Sequence, residues 1–361
     1  MHNNKEDCLM RTLLIIDHAP DYREDFFREL GEKCELTVLA QPCEFDSLIA
    51  PTERCNYNYI ESTPIVFGPF RWCRLPKKSF LEGFDIICSD LNLRHLWRLF
   101  LFFKFRKSSN WIWRGQIFGK HKLSFILDSV RMYFLSKTDV TLVYTRAVVA
   151  RLSGKIPNTK IVSFNNTQIL SSELKRTSWP TGKHPRLLYV GRTQKRKRLD
   201  RIVEMAIKYP LVEFRLVGPE MEQYIKSIKN PIPTNVQCFG RTVGKDLEQH
   251  FTWCHAVISP GILGLLVANA AKFGKPIVIE KNINHGPEYI LAKESEQFFI
   301  DFNSDEDILW LIEEIECGGD NLKKAAEKLY DAASKDYTIE KMAEKHFCAF
   351  LDSLKLFRFN S

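Results

Sequence analysis

The sequence predicts an α/β protein built from two Rossmann-like domains, and three observations carry that expectation. Short apolar runs closed by Gly, Pro or polar turns alternate with amphipathic stretches along most of the chain. The alternation halts at SSELKRTSWPTGKHP, residues 171–185, a polar segment with two prolines, and restarts after it. The length, 361 residues, is too great for one typical domain and about right for two. The expected domains are 1–175 and 176–337.

In the first domain, LLII at 13–16 reads as a buried strand and DYREDFFREL after it as a helix. LTVLA (36–40), FDIICSD (84–90) and TDVTLVYT (138–145) follow as strands, the last leading into the helical RAVVARLSG. The second domain begins with the strand RLLYVG, the helix LDRIVEMAIKY and the strand VEFRLVG. VQCFG, the helix VGKDLEQHFTWC, HAVISPG, the helix LLVANAAKFG and KPIVIE complete it. Strands alternating with helices predict parallel sheets covered on both faces, with ligands beyond the carboxyl ends of the strands. Two such domains predict a cleft.

Composition narrows the class. With 45% hydrophobic and 27% charged residues the chain is ordinary for a soluble globular protein, and no apolar run is long enough to span a bilayer. The apolar run near the start is too short and too acidic at its flanks for a signal peptide, so a cytoplasmic location is expected. Ten cysteines without a C-x-x-C pair predict reduced thiols and no metal centre. The net charge of +8 favours anionic partners: nucleotide phosphates, acidic lipid surfaces or nucleic acid. KRKR at 195–198 is the one basic tetrapeptide that suits nucleic acid, and no aromatic interleaving or known module supports it, so no nucleic-acid partner is expected.

Two segments could grip phosphate. In LLYVGRTQKRKRLDRIV (187–203) a strand ends at Gly191, Arg192 follows, and Lys197 opens the next helix. Arg grips phosphate bidentately and Lys acts as a point charge. In HAVISPGILGLLVANAAKFG (255–274) a strand, a glycine turn and a small-residue helix place backbone N–H groups around Gly264 and Leu265 at a helix start, a ready diphosphate site. A solvated basic turn and a plain βαβ turn account for the same residues taken separately.

Together and in order these segments resemble the nucleotide-sugar domain of family 4 (group 1) glycosyltransferases, which have the GT-B fold. The matching pieces are VGR-x4-K at 190–197, LVGP at 216–219, VQCFGR at 236–241, DLEQHFTWCHAVISPG at 246–261 and GLLVANAAKFGKPIV at 264–278. The resemblance covers about 150 residues well, and the N-terminal half more loosely through APDYREDFFREL, NWIWRGQIFGK and 144–169. It implies two Rossmann-like domains facing each other across a cleft, with the final helix, 338–361, returning to the first. It assigns Arg192 and Lys197 to the donor diphosphate, Gly218, Pro219 and Arg241 to the base and phosphates, and the helix after Gly264 to the diphosphate.

The departures are specific. The family's usual glutamate pair, eight residues apart, falls on Gly261 and Asn269. Asn269 can still hydrogen-bond a ribose hydroxyl, whereas Gly261 offers only backbone. PGILGL resembles a subset with a downstream P-E segment, here NHGPEYI, which brings His285 and Glu288 forward as sugar-pocket groups. For Glu288 the alternative is a carboxylate at a helix start after Pro287. In the acceptor domain the W-G-H-type histidine of many relatives is missing from Trp113-Arg114-Gly115-Gln116. His18, followed by Asp21 and Arg23, is open to a structural role or an acceptor contact, and Asn165 and Asn166 to turn chemistry or a cleft contact.

The stretch RHLWRLFLFFKFRK, 94–107, carries Arg94, Arg98, Lys104, Arg106 and Lys107 among bulky apolar residues. It suits either peripheral contact with a membrane or a helix packed on the sheet. The expected activity is transfer of a hexosyl unit from a nucleoside-diphosphate sugar to a hydroxyl of a glycan or lipid-linked glycan, retaining and without metal or other cofactor. The alternative is a catalytically degenerate subunit that binds a glycan or a partner enzyme.

Overall fold

Two parallel sheets, one in each of two units, organise the computed structural model, which describes residues 10–43, 48–74, 77–106, 109–115, 117–118, 124–182 and 184–360. The chain up to Gln168 and the residues from Ile339 onward form the first unit, and Ile169–Thr338 the second.

The first unit contains β1 (Arg11–His18), β2 (Glu35–Gln41), β3 (Asn58–Glu61), β4 (Ile65–Phe67), β5 (Phe70–Trp72), β6 (Ile86–Asp90), β7 (Asn110–Gly115), β8 (Val140–Val143) and β9 (Lys160–Ser163). Seven of these form a sheet in the order β3-β2-β1-β6-β7-β8-β9, and β4 and β5 pair separately as an antiparallel hairpin. The four expected strands are present. Three more, β3, β7 and β9, join them in the sheet. NWIWRG, the sequence of β7, is buried along its whole length, so it shows no alternation to read. The aromatic core packs around Phe102, whose ring centroid lies 5.2–5.7 Å from those of Trp111, Trp113 and Phe134. Helix Glu24–Gly31 buries Phe26, Phe27 and Leu30, and its Phe26 ring packs on His346 of the long helix Ile339–Asn360.

The second unit holds β10 (Arg186–Val190), β11 (Glu213–Val217), β12 (Val236–Phe239), β13 (Ala256–Ser259), β14 (Ile277–Glu280) and β15 (Phe298–Ile300), ordered β12-β11-β10-β13-β14-β15. Every adjacent pair is parallel. Numbered within the unit this order is 3-2-1-4-5-6, the doubly wound arrangement, which reverses direction between β10 and β13. The crevice at that reversal, at the carboxyl ends of β10 and β13, is where such a sheet takes a ligand.

Two local expectations need correction. Lys197 does not open a helix: it closes a 3-10 turn, Lys195–Lys197, and left-handed Arg198 (φ 54°) intervenes before the helix Leu199–Lys208. The small-residue helix starts at Leu266 rather than Gly264 and runs only to Lys272. Its seven residues make about two turns, too short for a large macrodipole.

Candidate functional site

At the carboxyl ends of β10, β11 and β12 the ladder continues through the two glycines that follow. Gly191 N–H donates to Val217 O at 2.9 Å, and Gly218 N–H to Phe239 O at 3.0 Å. A Cβ on Gly218 would stand 2.0 Å from Gly191 O, and one on Gly191 only 2.6 Å from Tyr189 Oη. These glycines are there for close approach. The Tyr189 hydroxyl donates to Arg192 O at 3.1 Å, pinning the backbone of a residue whose side chain is exposed. Pro219 and Arg241 are exposed beside the same strand ends, and Thr193 Oγ1 donates to Pro219 O at 3.4 Å.

The basic turn is bolted to the loop after β13. Ile262 N–H donates to Arg196 O at 2.9 Å, and Lys197 Nζ donates to Ile262 O at 2.7 Å. The Lys197 ammonium also lies 3.5 Å from the position a Cβ on Gly264 would take. Gly261 is buried beneath this contact: a Cβ there would meet Arg196 O and Lys197 C at 2.4 Å and Lys197 O at 2.5 Å. Three backbone atoms therefore occupy the space that any side chain at 261 needs. Glycine at 261 is a steric requirement of this loop arrangement.

His285 secures the far side of the loop. Leu263 N–H donates to His285 Nδ1 at 3.1 Å, so the ring proton sits on Nε2, which donates to Glu280 O at 2.6 Å. Both ring nitrogens are engaged with backbone, which makes His285 a brace for the loop. Glu288 sits at the start of helix Tyr289–Glu294, and its carboxylate folds back over Gly286, where a Cβ would be 2.6 Å from Oε2. Asn269 is half-buried on Leu266–Lys272 among buried alanines, and its N–H donates to Leu265 O. Gly264 and Leu265 are half-buried just before that helix.

Arg192, Lys197, Gly191, Gly218, Pro219, Arg241, Gly261, Gly264, Leu265, His285 and Glu288 thus all belong to the carboxyl side of one sheet or the loops that leave it, and Asn269 lies in the short helix after β13. The supporting roles of Tyr189 and of the Arg196 carbonyl were invisible in the sequence, because each acts through backbone across the fold. A separate cavity of about 330 Å³, lined by His184, Glu213, Gln237 and Trp253, opens at the amino ends of β10–β12 and is not part of this group.

In the first unit, His18 ends β1, and its Nδ1 lies 3.1 Å from Pro42 O, which makes Nδ1 the protonated nitrogen. Arg23 donates to Asn166 Oδ1 at 2.5 Å and to Thr167 O at 3.1 Å. Asn165 is buried in a left-handed conformation (φ 53°), the turn chemistry open to it from the sequence.

Arg98 must be withdrawn from the basic surface of 94–107: it is buried, and it donates to Asp17 Oδ1 at 2.7 Å and Ile16 O at 2.8 Å. Burial alone would raise the Asp17 carboxyl, but Arg98, His95 and a bond from Asn92 outweigh it and hold it at about 2. Arg114 pairs with Asp90 at 3.1 Å, and there burial dominates and raises the Asp90 carboxyl. The sequence reading missed this ion-pair network at the β1–β6 reversal. Gln116 and Lys107 lie outside the described residues.

Residues 171–336, just under half of the chain, match the family Glycosyl transferases group 1. No curated protein sequence matches at a significant level. Among solved structures, sucrose-phosphate synthase from Thermosynechococcus elongatus superposes with a TM-score of 0.70 at 12% identity, over 97% of this chain and 100% of that one. Anabaena HepE in complex with UDP and glucose gives 0.64 at 13% identity, over 93% and 98%. The pneumococcal O-GlcNAc transferase GtfA in complex with UDP and GlcNAc gives 0.62 at 12% identity, over 96% and 99%. Identities this low speak for a shared fold, GT-B, over nearly the whole chain.

Proposed function

We propose, from the premise that residues 171–336 form a group 1 glycosyl transferase domain, that this GT-B protein moves a hexosyl unit from a nucleoside-diphosphate sugar, UDP-linked in the first instance, to a hydroxyl of a glycan or lipid-linked glycan. The observation that carries the reading is the bolted pair of loops. It presents Lys197, with Arg192 nearby in sequence, at the carboxyl ends of β10 and β13, where a doubly wound sheet takes its ligand. UDP in the HepE and GtfA structures motivates the choice of nucleotide.

The chemistry asks little of a protein nucleophile. The bond from the anomeric carbon to the β-phosphate oxygen breaks, the acceptor oxygen bonds to that carbon, and the acceptor proton passes to the departing phosphate. The protein must stabilise the growing phosphate charge and hold the acceptor. In this reading Arg192 and Lys197 supply the charge, with the N–H groups at Gly264 and Leu265 as neutral donors, so no metal is required. Attack on the leaving-group face retains configuration. Gly218, Pro219 and Arg241 border the nucleotide, Asn269 meets the ribose and Glu288 the sugar, with His285 as brace. His18 of the first unit faces the acceptor, and the stretch 94–107 gives peripheral contact with the inner face of a membrane.

Calorimetry and thermal shift with UDP, GDP, ADP and their sugar conjugates test the donor site on wild type and Arg192→Ala. One nucleotide sugar should raise the melting temperature of the wild type only. Silence from every nucleotide in a folded protein would leave the degenerate binding subunit as the better reading.

A further inference from the structure

Half of the large apolar side chains exposed among the described residues, nine of eighteen, lie on three neighbouring elements of the first unit, so the exposure is concentrated in one region. The hairpin β4–β5 contributes Ile65, Val66, Phe67 and Phe70. Ile65, Val66 and Phe67 are consecutive, so both faces of β4 are open to solvent, while β5 is tied to the segment before helix Leu96–Phe105 by Arg71 N–H donating to Arg94 O at 2.8 Å. Its Trp72 ring lies 6.1 Å from Phe100 on helix Leu96–Phe105. One turn on, Phe103 (50% exposed) lies 6.5 Å from Tyr133 on helix Ser124–Leu135. From Tyr133 an exposed stripe runs back through Val130 and Leu127 at helical spacing. Ring contacts therefore join the hairpin to both helices in one continuous apolar surface.

Charge identifies what covers it. Residues 91–127 contain eight Lys and Arg and no Asp or Glu, whereas the remainder of the chain has 44 of each sign, so the whole net charge of +8 resides in this segment. Arg98 and Arg114 are answered internally by Asp17 and Asp90. Arg94 and Lys104 are exposed, Arg106 is half-exposed, and Lys137 is exposed beside Tyr133; none of the four is ion-paired among the described residues. Lys104 Nζ sits 5.9 Å from the Phe100 ring, a cation beside an exposed aromatic. A protein partner would have to match these cations or leave them at a solvated rim. A bilayer surface with anionic headgroups takes the apolar side chains below and the cations at the headgroup level at once.

We infer that β4–β5, the outer face of Leu96–Phe105 and the Leu127–Val130–Tyr133 stripe form one surface that docks on an anionic lipid bilayer, with the hairpin tip inserted. This deepens the membrane contact proposed above, extending it from one helix to three elements.

Flotation of the full chain with vesicles tests it, using phosphatidylcholine alone and phosphatidylcholine with a minority of phosphatidylglycerol. Wild type should float with the mixed vesicles and much less with phosphatidylcholine alone. Phe100→Gln with Phe103→Gln, and separately Phe67→Ser, should each weaken binding about tenfold or more. Lys104→Glu should weaken it mainly at low salt. These side chains are about half exposed, so melting temperatures should hold. Equal flotation of wild type and the Phe variants, or no binding to either vesicle, overturns the inference. So does a wild-type dimer in sedimentation that the Phe variants dissociate, which would make the surface a contact between copies. No nucleotide enters the assay, so its failure is separate from failure of the donor-site reading.

Discussion

The backbone of Lys197 lies where a side chain at position 261 would have to go: a Cβ on Gly261 would stand 2.4 Å from the Lys197 carbonyl carbon. The same turn offers the Lys197 ammonium to Ile262 O and the Arg196 carbonyl to Ile262 N–H. Position 261 is therefore glycine for a reason that also fixes the basic turn.

Gly261→Ala should force the two loops apart. Overpacking of this kind costs about 1–3 kcal/mol, and moving the turn should also weaken uridine nucleotide binding. Denaturant unfolding and calorimetry on the same preparation check both effects. Unchanged stability with full nucleotide affinity would mean that the loops do not depend on each other.

Arg192→Ala should separate binding from folding. The side chain is exposed, so stability should change by no more than about 0.5 kcal/mol. Losing charge-assisted bonds worth about 1.5–3 kcal/mol should lower donor affinity roughly ten- to a hundredfold. Lys197→Met should lower both, because Lys197 also holds Ile262 O.

His285 and Glu288 should part company. His285→Ala leaves Leu263 N–H and Glu280 O without their partner, at a cost of about 1–3 kcal/mol. Glu288→Gln should leave stability and nucleotide affinity near wild type while slowing transfer. A Glu288→Gln enzyme with an unchanged turnover rate removes Glu288 from the sugar pocket.

The protein should lose stability as pH falls below about 6.5. Burial first, then Arg98, pushes His95 down to about 3. Between these values the unfolded chain takes up a proton that the folded one refuses. At pH 5 this amounts to about 2 kcal/mol for His95. Burial pushes His255 down to about 4 and His346 well below 6.5, so they act in the same direction. Urea unfolding between pH 7 and 5 should show the decline, and His95→Gln should make it shallower by about the 2 kcal/mol of His95, leaving the part due to His255 and His346. A wild-type curve that stays level contradicts the neutral buried state.

Much of this architecture was legible because it is local. LLII, LTVLA, RLLYVG and HAVISPG announce strands by apolar run and closing residue, and Gly191 and Gly261 announce turns by type. The same logic failed where burial erased periodicity, as in NWIWRG, and where strands are short edge pieces, as in Asn58–Glu61 and Phe298–Ile300. It misjudged Arg98 because a buried arginine reads like an exposed one until its carboxylate, 81 residues away, is known.

The sequence by itself determined the alternation of elements, the glycine framework and the identity of the phosphate-binding candidates, since each depends on neighbours along the chain. Tertiary structure decided that the Lys195–Lys197 turn fills the space above Gly261, and that both nitrogens of His285 are spent on backbone. It also decided that exposed apolar residues from three elements form one surface. Such facts depend on which distant backbone atoms come within a few ångströms, and sequence spacing does not encode that distance.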